Sequence, residues 1–143
     1  MKGRLHLTVT IKAYETYREE EVLSLYTSVG WTNYTNNPAM LSDAFKQSLK
    51  VYAAFEKEQL LGLIRVVGDG HSIVFVQDLL IHPAFQRQGL GRRLMQRILS
   101  EYSHVYQLHL LTDDSDKTRL FYEALGFEWV DDLGTRAFTL VKR

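Results

Sequence analysis

Few patterns limit a chain's folding options as tightly as an apolar run that ends in a glycine loop and continues as a helix. Ile73 to Ile81 is such a run, Pro83 ends it, and Gln86-Arg87-Gln88-Gly89-Leu90-Gly91 follows. Leu90, Leu94, Ile98 and Tyr102 then recur at helical spacing. This order presents free backbone N–H groups at a helix N-terminus, which suits a phosphate. No Asp or Glu occurs between Ile81 and Ser100, whereas Arg87, Arg92, Arg93 and Arg97 do. The whole chain has zero formal net charge. The loop is therefore a local cationic patch, and a general polyanion binder such as a DNA-coating protein is not expected.

The rest of the chain supplies the frame. Leu5, Leu7, Val9 and Ile11 alternate with polar residues and predict a strand. Glu19 to Glu21 suit a helix first turn, Val22, Leu25, Tyr26 and Val29 give its stripe, and Gly30 stops it. Asn37-Pro38 reads as the cap and first residue of a second helix, with its stripe from Leu41 to Leu49. Val51 to Phe55 and Leu60 to Val67 predict a hairpin, which Ile73 to Ile81 extends to a meander. After the loop helix come a strand from Val105 to Leu111, a short helix from Asp116 to Leu125, and terminal strands at 127–130 and 137–141. The expected order is β-α-α-β-β-β-α-β-α-β-β. One β-α-β crossover is expected to make two strands parallel in an otherwise antiparallel sheet, an α/β fold. With 143 residues, 45% hydrophobic and 24% charged, a single domain over 1–143 with a real core is expected.

Two familiar phosphate motifs do not fit. A P-loop needs a Lys and a hydroxyl residue after its last glycine, and none stands here. A dinucleotide fingerprint needs a third glycine where Leu94 stands, and His82 to Gln88 separate the strand from the first glycine. Gln/Arg-x-x-Gly-x-Gly/Ala between strand and helix is met in full by Gln86 to Gly91. Here the chain resembles the GNAT superfamily of acyl-CoA-dependent N-acetyltransferases. Asp78-Leu79-Leu80-Ile81-His82-Pro83 is similar to the strand and exit before the family's loop. Phe121-Tyr122-Glu123-Ala124-Leu125-Gly126-Phe127 is similar to its second motif, a Tyr on a short helix ending in Gly-Phe. Gly30-Trp31, Arg65 to Gly70 and Gln77-Asp78 further resemble small arylalkylamine-type members. Two departures stand out: Ser115 where the family often has Asn, and Thr118 where it often has Ala.

The resemblance implies a mixed, mostly antiparallel sheet with helices on both faces, and acetyl transfer from acetyl-CoA to a primary amine. It implies that Leu79, Leu80 and Ile81 offer backbone groups to the pantetheine arm and that Gln86, Arg87, Gln88, Gly89, Leu90, Gly91 and Arg92 hold the pyrophosphate, with Arg93 a further phosphate candidate. Ser115 and Tyr122 complete the cofactor set. Tyr122 is the expected acid: a phenol with pKa about 10 can protonate a thiolate whose thiol has pKa about 8.5. The base is open. Asp78 is an acid in an apolar strand, or it is a carboxylate satisfied by turn N–H groups or by Arg65. Gln77 is suited to positioning a water, and His71 and His82 qualify by residue type. The acceptor amine is expected near Trp31, Tyr34, Asp69 and His71.

No cysteine is present, which excludes disulfides, thiolate metal sites and a Cys nucleophile and favours direct attack in a ternary complex. Five scattered histidines without a paired carboxylate motif give no reason to expect a metal. Neither a signal-peptide stretch nor a membrane-length apolar run is evident. A cytoplasmic protein is expected, acting on a small-molecule or peptide amine, without nucleic-acid or membrane partners and with a homodimer left open. The rival function is a non-catalytic acyl-CoA-binding or regulatory module on the same fold.

Overall fold

The computed structural model describes residues 8–142. Leu5 and Leu7 of the expected first strand lie outside the described residues; β1 is Thr10–Ala13. The order continues with α1 (Glu19–Ser28), α2 (Thr32–Thr35), α3 (Pro38–Gln47), β2 (Lys50–Glu56), β3 (Gln59–Gly68), β4 (Ile73–Ile81), α4 (Leu90–Glu101), β5 (Gln107–Leu110) and α5 (Asp116–Ala124). The described residues up to Leu111 form one compact unit and those from Thr112 form another.

In the first unit the five strands form one sheet in the order β1-β2-β3-β4-β5. The first three pairings are antiparallel and β4 runs parallel to β5. The parallel step follows from α4, since only a crossover brings the chain back in the same direction. Local signals place the helices. The Asn37 side chain accepts a hydrogen bond from the Met40 N–H at 3.3 Å, with Pro38 in the first turn of α3. Gly30, at φ +77°, lies just past the end of α1.

One face of the sheet carries α1 and α3. Val22, Leu25, Tyr26, Leu41 and Phe45 pack there on Val51, Ala53, Phe55, Leu60, Leu63 and Leu80. Burying each large apolar side chain contributes roughly 1.5–3 kcal/mol. The other face takes α4, whose Leu94, Met95 and Ile98 are fully buried and which packs on β2, β3 and β4.

Two irregularities set the register. Leu61 is an extra residue between the pairs Ala54↔Gly62 and Phe55↔Leu60. Gln77 is another, because Arg65 pairs with Asp78 while Val66 pairs with Val76.

The second unit differs from expectation at its end. Residues 127–130 and 137–141 are not strands; a 3-10 turn occupies Val130–Leu133 and the remainder is irregular. Phe138 and Leu140 are 95% and 94% exposed. Period-2 alternation becomes a strand only with a neighbour to pair with and a face to bury, and here Gly134, at φ +78°, turns the backbone first. Among the described residues no helix is long and apolar enough to cross a membrane.

Candidate functional site

β4 outruns its parallel partner. The β4–β5 register ends at Val76↔Leu110, while β4 continues to Ile81. The His82 N–H donates to the Leu61 carbonyl at 2.8 Å, so His82 faces β3. Backbone direction alternates along a strand. Leu80 therefore faces β3, whereas Leu79 and Ile81 present their N–H and C=O groups to the edge that β5 has left. The Ile81 carbonyl is taken by Gln86, whose amide donates to it at 3.0 Å. That bond gives Gln86 a concrete task, pinning the loop to the strand end. Among the described residues, what remains beyond the last sheet pair is a short unpaired row with two donors and one acceptor, suited to an amide-rich ligand.

The loop leads into α4. Pro83–Phe85 form a 3-10 turn, capped where His82 Nδ1 accepts from the Ala84 N–H at 3.1 Å. His82 is thereby committed to the turn. Arg87 and Gly89 both lie in the left-handed region, at φ 64° and 80°. For Arg87 this costs about 1–2 kcal/mol, a strain kept where backbone must point in a set direction. A Cβ built on Gly89 would meet nothing within 4 Å, so it would project into open space beside the helix start. Helix α4 has neither a side-chain cap nor an acidic residue in its first turn. The first helical carbonyl bond is Arg93 N–H to Gly89 O at 3.0 Å, leaving the N–H groups of Leu90, Gly91 and Arg92 directed outward. An open cradle, uncapped donors and no opposing carboxylate fit a pyrophosphate.

The arginines divide. Arg87 and Arg92 are exposed and have no hydrogen-bond or ion-pair partner among the described residues, so both are free for phosphate. Arg93 is turned away: its guanidinium donates to the Val9 carbonyl at 3.2 Å. Arg97, one turn on, donates to the Ile11 carbonyl and lies 4.7 Å from the Tyr52 ring centre. Both cover backbone acceptors at the edge strand β1. The Leu80 and Leu90 side chains are core, each 3% exposed.

Asp78 sits in a buried polar cluster of the first unit. It is 2% exposed and ion-paired at 2.8 Å with Arg65 Nε, itself 4% exposed. The Tyr26 hydroxyl donates to Oδ2 at 2.8 Å and the Tyr34 hydroxyl to Oδ1 at 3.0 Å. Arg65 also donates to Ser48 Oγ at 3.2 Å. Burial, then the negative Asp78, push the Tyr26 phenol far above its ordinary range and raise Tyr34 in the same direction. Of the alternatives open from sequence, the geometry matches the carboxylate satisfied by Arg65, with two phenol hydroxyls as its further partners in place of turn N–H groups. The Tyr26 and Tyr34 contacts lacked any local signal, because they join residues 52 and 44 positions apart.

Among the acceptor-site candidates, Trp31 and Tyr34 share an aromatic cluster with Tyr26: Trp31–Tyr26 centroids are 5.9 Å apart and Tyr34–Tyr26 5.3 Å. Asp69 is occupied. Its carboxylate accepts the Ser72 hydroxyl at 2.6 Å and the N–H groups of His71, Ser72 and Ile73. The Ser72 bond first, then those N–H groups, hold its pKa well below the usual range. Asp69 thus builds the β3–β4 turn. His71 lies on that turn, 6.2 Å from the His104 ring. Gln77 is exposed and donates to Tyr34 Oη at 3.2 Å.

In the second unit, Ser115 caps α5: its Oγ accepts the Thr118 N–H at 3.2 Å and donates to Thr118 Oγ1 at 2.9 Å. The two departures from the family pattern therefore form one local device. Tyr122 packs edge-on against Phe121 and Phe127, at 4.9 and 5.6 Å. Burial raises its pKa, with Asp113 adding to the effect. Its hydroxyl has no hydrogen-bond partner among the described residues, so it stands as an uncommitted proton donor. Also among those residues, no group of three or more His, Asp or Glu is placed to hold a metal.

A family model described as an acetyltransferase (GNAT) domain matches residues 13–139. A solved structure of the GNAT family acetyltransferase SP0256 from Streptococcus pneumoniae TIGR4 is 41% identical, with TM-score 0.86 over 95% of this chain and 99% of that one. The uncharacterized N-acetyltransferase ycf52 of Gracilaria tenuistipitata var. liui is 27% identical over 132 residues, 89% of this chain and 71% of its own length. AAC(6')-Iy, solved with a bisubstrate analog of CoA and acetylneamine, is 15% identical with TM-score 0.72 over 95% of this chain and 99% of that one, a likeness of fold.

Proposed function

The chain belongs to the GNAT acetyltransferase family, and from that premise we propose that it transfers an acetyl group from acetyl-CoA to a primary amine by direct attack in a ternary complex. The observation that carries this is the continuity of two features in one unit. The unpaired Leu79 and Ile81 backbone edge of β4 is followed within a few residues by the uncapped N-terminus of α4. An amide-bearing arm ending in a pyrophosphate needs those two kinds of donor in that sequence.

Acetyl-CoA supplies the acyl group and a thiol leaving group. The N–H groups of Gln88 to Arg92 bind the pyrophosphate, with Arg87 and Arg92 adding charge-assisted bonds. A β4 N–H polarises the thioester oxygen. Tyr122, held as a phenol by burial, gives its proton to the leaving sulfur; this role rests on the family motif. Ser115 shapes the start of α5, with its hydroxyl already engaged. Trp31 and Tyr34 line the acceptor site, and Asp69 fixes the turn beside it. Asp78 serves this chemistry as a fixed charge, and the ammonium proton leaves to water.

Calorimetry with acetyl-CoA and NADH tests the cofactor, and CoA release with a panel of amines tests the reaction. Acetyl-CoA binds and NADH does not; tight NADH binding without CoA binding refutes the proposal. Acetyl-CoA binding without CoA release for any amine supports the non-catalytic module instead.

A further inference from the structure

We infer that Tyr34 Oη is the acceptor that receives an N–H of the attacking amine, held in place by Gln77 and Asp78, an inference that rests on the acyl-transfer reading above. A file of polar contacts runs outward from the interior: Ser48, Arg65, Asp78, Tyr34, Gln77. Arg65, Asp78 and Tyr26 are buried, Tyr34 is half-buried and Gln77 is exposed. Of the two hydroxyls on Asp78, Tyr34 alone reaches toward the surface. From α2 it meets β4 at Gln77 and Asp78, just past the last pair with β5 at Val76↔Leu110.

The bulge makes this arrangement possible. Adjacent strand residues ordinarily point to opposite faces. Yet Gln77 and Asp78 both contact the same phenol oxygen, at 3.2 and 3.0 Å, because Gln77 is the extra residue in the β3–β4 ladder. The Tyr34 proton is spent on Asp78, and the oxygen's acceptor side is held only by the 3.2 Å bond from exposed Gln77, which an amine N–H can share. With its hydrogen fixed inward, the hydroxyl can only accept from a third group. Donating to a carboxylate also makes the oxygen a stronger acceptor. Burial and the neighbouring Asp78 raise the Tyr34 pKa, which keeps it a phenol.

From the neutral amine, the N–C bond forms and the C–S bond breaks; nitrogen gives up one proton to water, and sulfur takes one from Tyr122, which water then reprotonates. The nitrogen becomes more positive as it attacks, so an N–H···Oη bond strengthens along the reaction and lowers the barrier. Tyr34 takes no proton. Gln77 and Asp78 are positioning residues that act through it.

The test compares wild type, Tyr34→Phe and Gln77→Met for CoA release with 2-phenylethylamine, spermidine and triglycine, alongside thermal shifts by acetyl-CoA. With the amine that wild type uses best, Tyr34→Phe lowers kcat about 10–100-fold. The KM for acetyl-CoA and the shift it produces stay unchanged. Gln77→Met lowers kcat about 3–10-fold at an unaltered melting temperature. Wild-type kcat in Tyr34→Phe, or an acetyl-CoA KM that rises in step with the loss of kcat, overturns the inference. If Tyr34→Phe does not fold, Gln77→Met decides, since its side chain is exposed: unchanged kcat there overturns the inference. A wild-type protein that releases no CoA with any of the three amines overturns the acyl-transfer reading and this inference with it.

Discussion

Replacing Asp78 with Asn removes one charge and almost no volume, yet we expect it to be among the most damaging substitutions in the first unit. Asp78 and Arg65 are 2% and 4% exposed, so water cannot take over the role of a lost partner. The guanidinium would keep Ser48 Oγ and the faces of Phe45 and Tyr34, whose ring centres lie 5.6 and 6.0 Å away, but no anion. Breaking a buried pair from one side costs about 3–5 kcal/mol. That is at least about a fifth of the roughly 5–15 kcal/mol available to an ordinary domain, and all of it at the lower end. The Asn amide would also turn N–H groups toward hydroxyls that now donate, Tyr26 at 2.8 Å and Tyr34 at 3.0 Å. With a urea slope of about 2 kcal/mol per M, the unfolding midpoint falls by roughly 1.5–2.5 M. Urea titration followed by far-UV circular dichroism measures this. The triple change Arg65→Met, Asp78→Leu, Tyr26→Phe removes both charges and one dependent hydroxyl together. It should recover to within about 2 kcal/mol of wild type, since paired removal of buried charges is often close to neutral. Ser48 keeps its bond to the Ala44 carbonyl at 2.8 Å, and Tyr34 keeps Gln77. A loss below about 1 kcal/mol for Asp78→Asn would show that the pair is hydrated and that the buried-charge reasoning is wrong.

Three further outcomes follow from other parts of the molecule. Gly89→Val forces a branched residue to φ +80° and puts its side chain in the open cradle, so calorimetry should show acetyl-CoA binding lost while stability falls by only about 1–2 kcal/mol; undiminished affinity in the folded variant would misplace the loop. Tyr122→Phe keeps the packing on Phe121 and Phe127 and removes only the hydroxyl, so turnover should fall about 10²–10⁴-fold with little change in melting temperature. Full turnover under conditions where chemistry limits the rate would make it a packing residue. Burial and the bond to Glu21 raise Tyr14 from 10.0 to about 12. The unfolded chain therefore loses this proton first as pH climbs, and the stability it contributes is intact below pH 10 and lost between 10 and about 12. Tyr14→Phe should make the alkaline fall in unfolding free energy shallower, and an unchanged slope would contradict the shift.

What the amino-acid sequence determined by itself is everything whose cause lies within a few residues. Asn37-Pro38 announces the start of α3 because the cap is a contact between neighbours. Ile73 to Ile81 reads as a strand to the residue, bounded by Pro83. Gly89 marks the loop because only a residue without a Cβ adopts its φ cheaply. The one-turn helix Thr32–Thr35 left no readable period at that length. Tertiary structure alone decided which of several chemically plausible roles each polar side chain took. Asp78 could have been a free base, and it became the anion of a buried pair because the Gln77 bulge sets it opposite Arg65 while α1 and α2 bring two tyrosines onto it. Arg93 could have met a phosphate, and it turned to the Val9 carbonyl because the helix face it occupies looks at the edge strand. The alternation at 137–141 promised a strand and formed none. Periodicity records which side of a segment is apolar, but pairing, salt bridges and free lone pairs depend on what distant segments bring within about 3 Å, the range of a hydrogen bond.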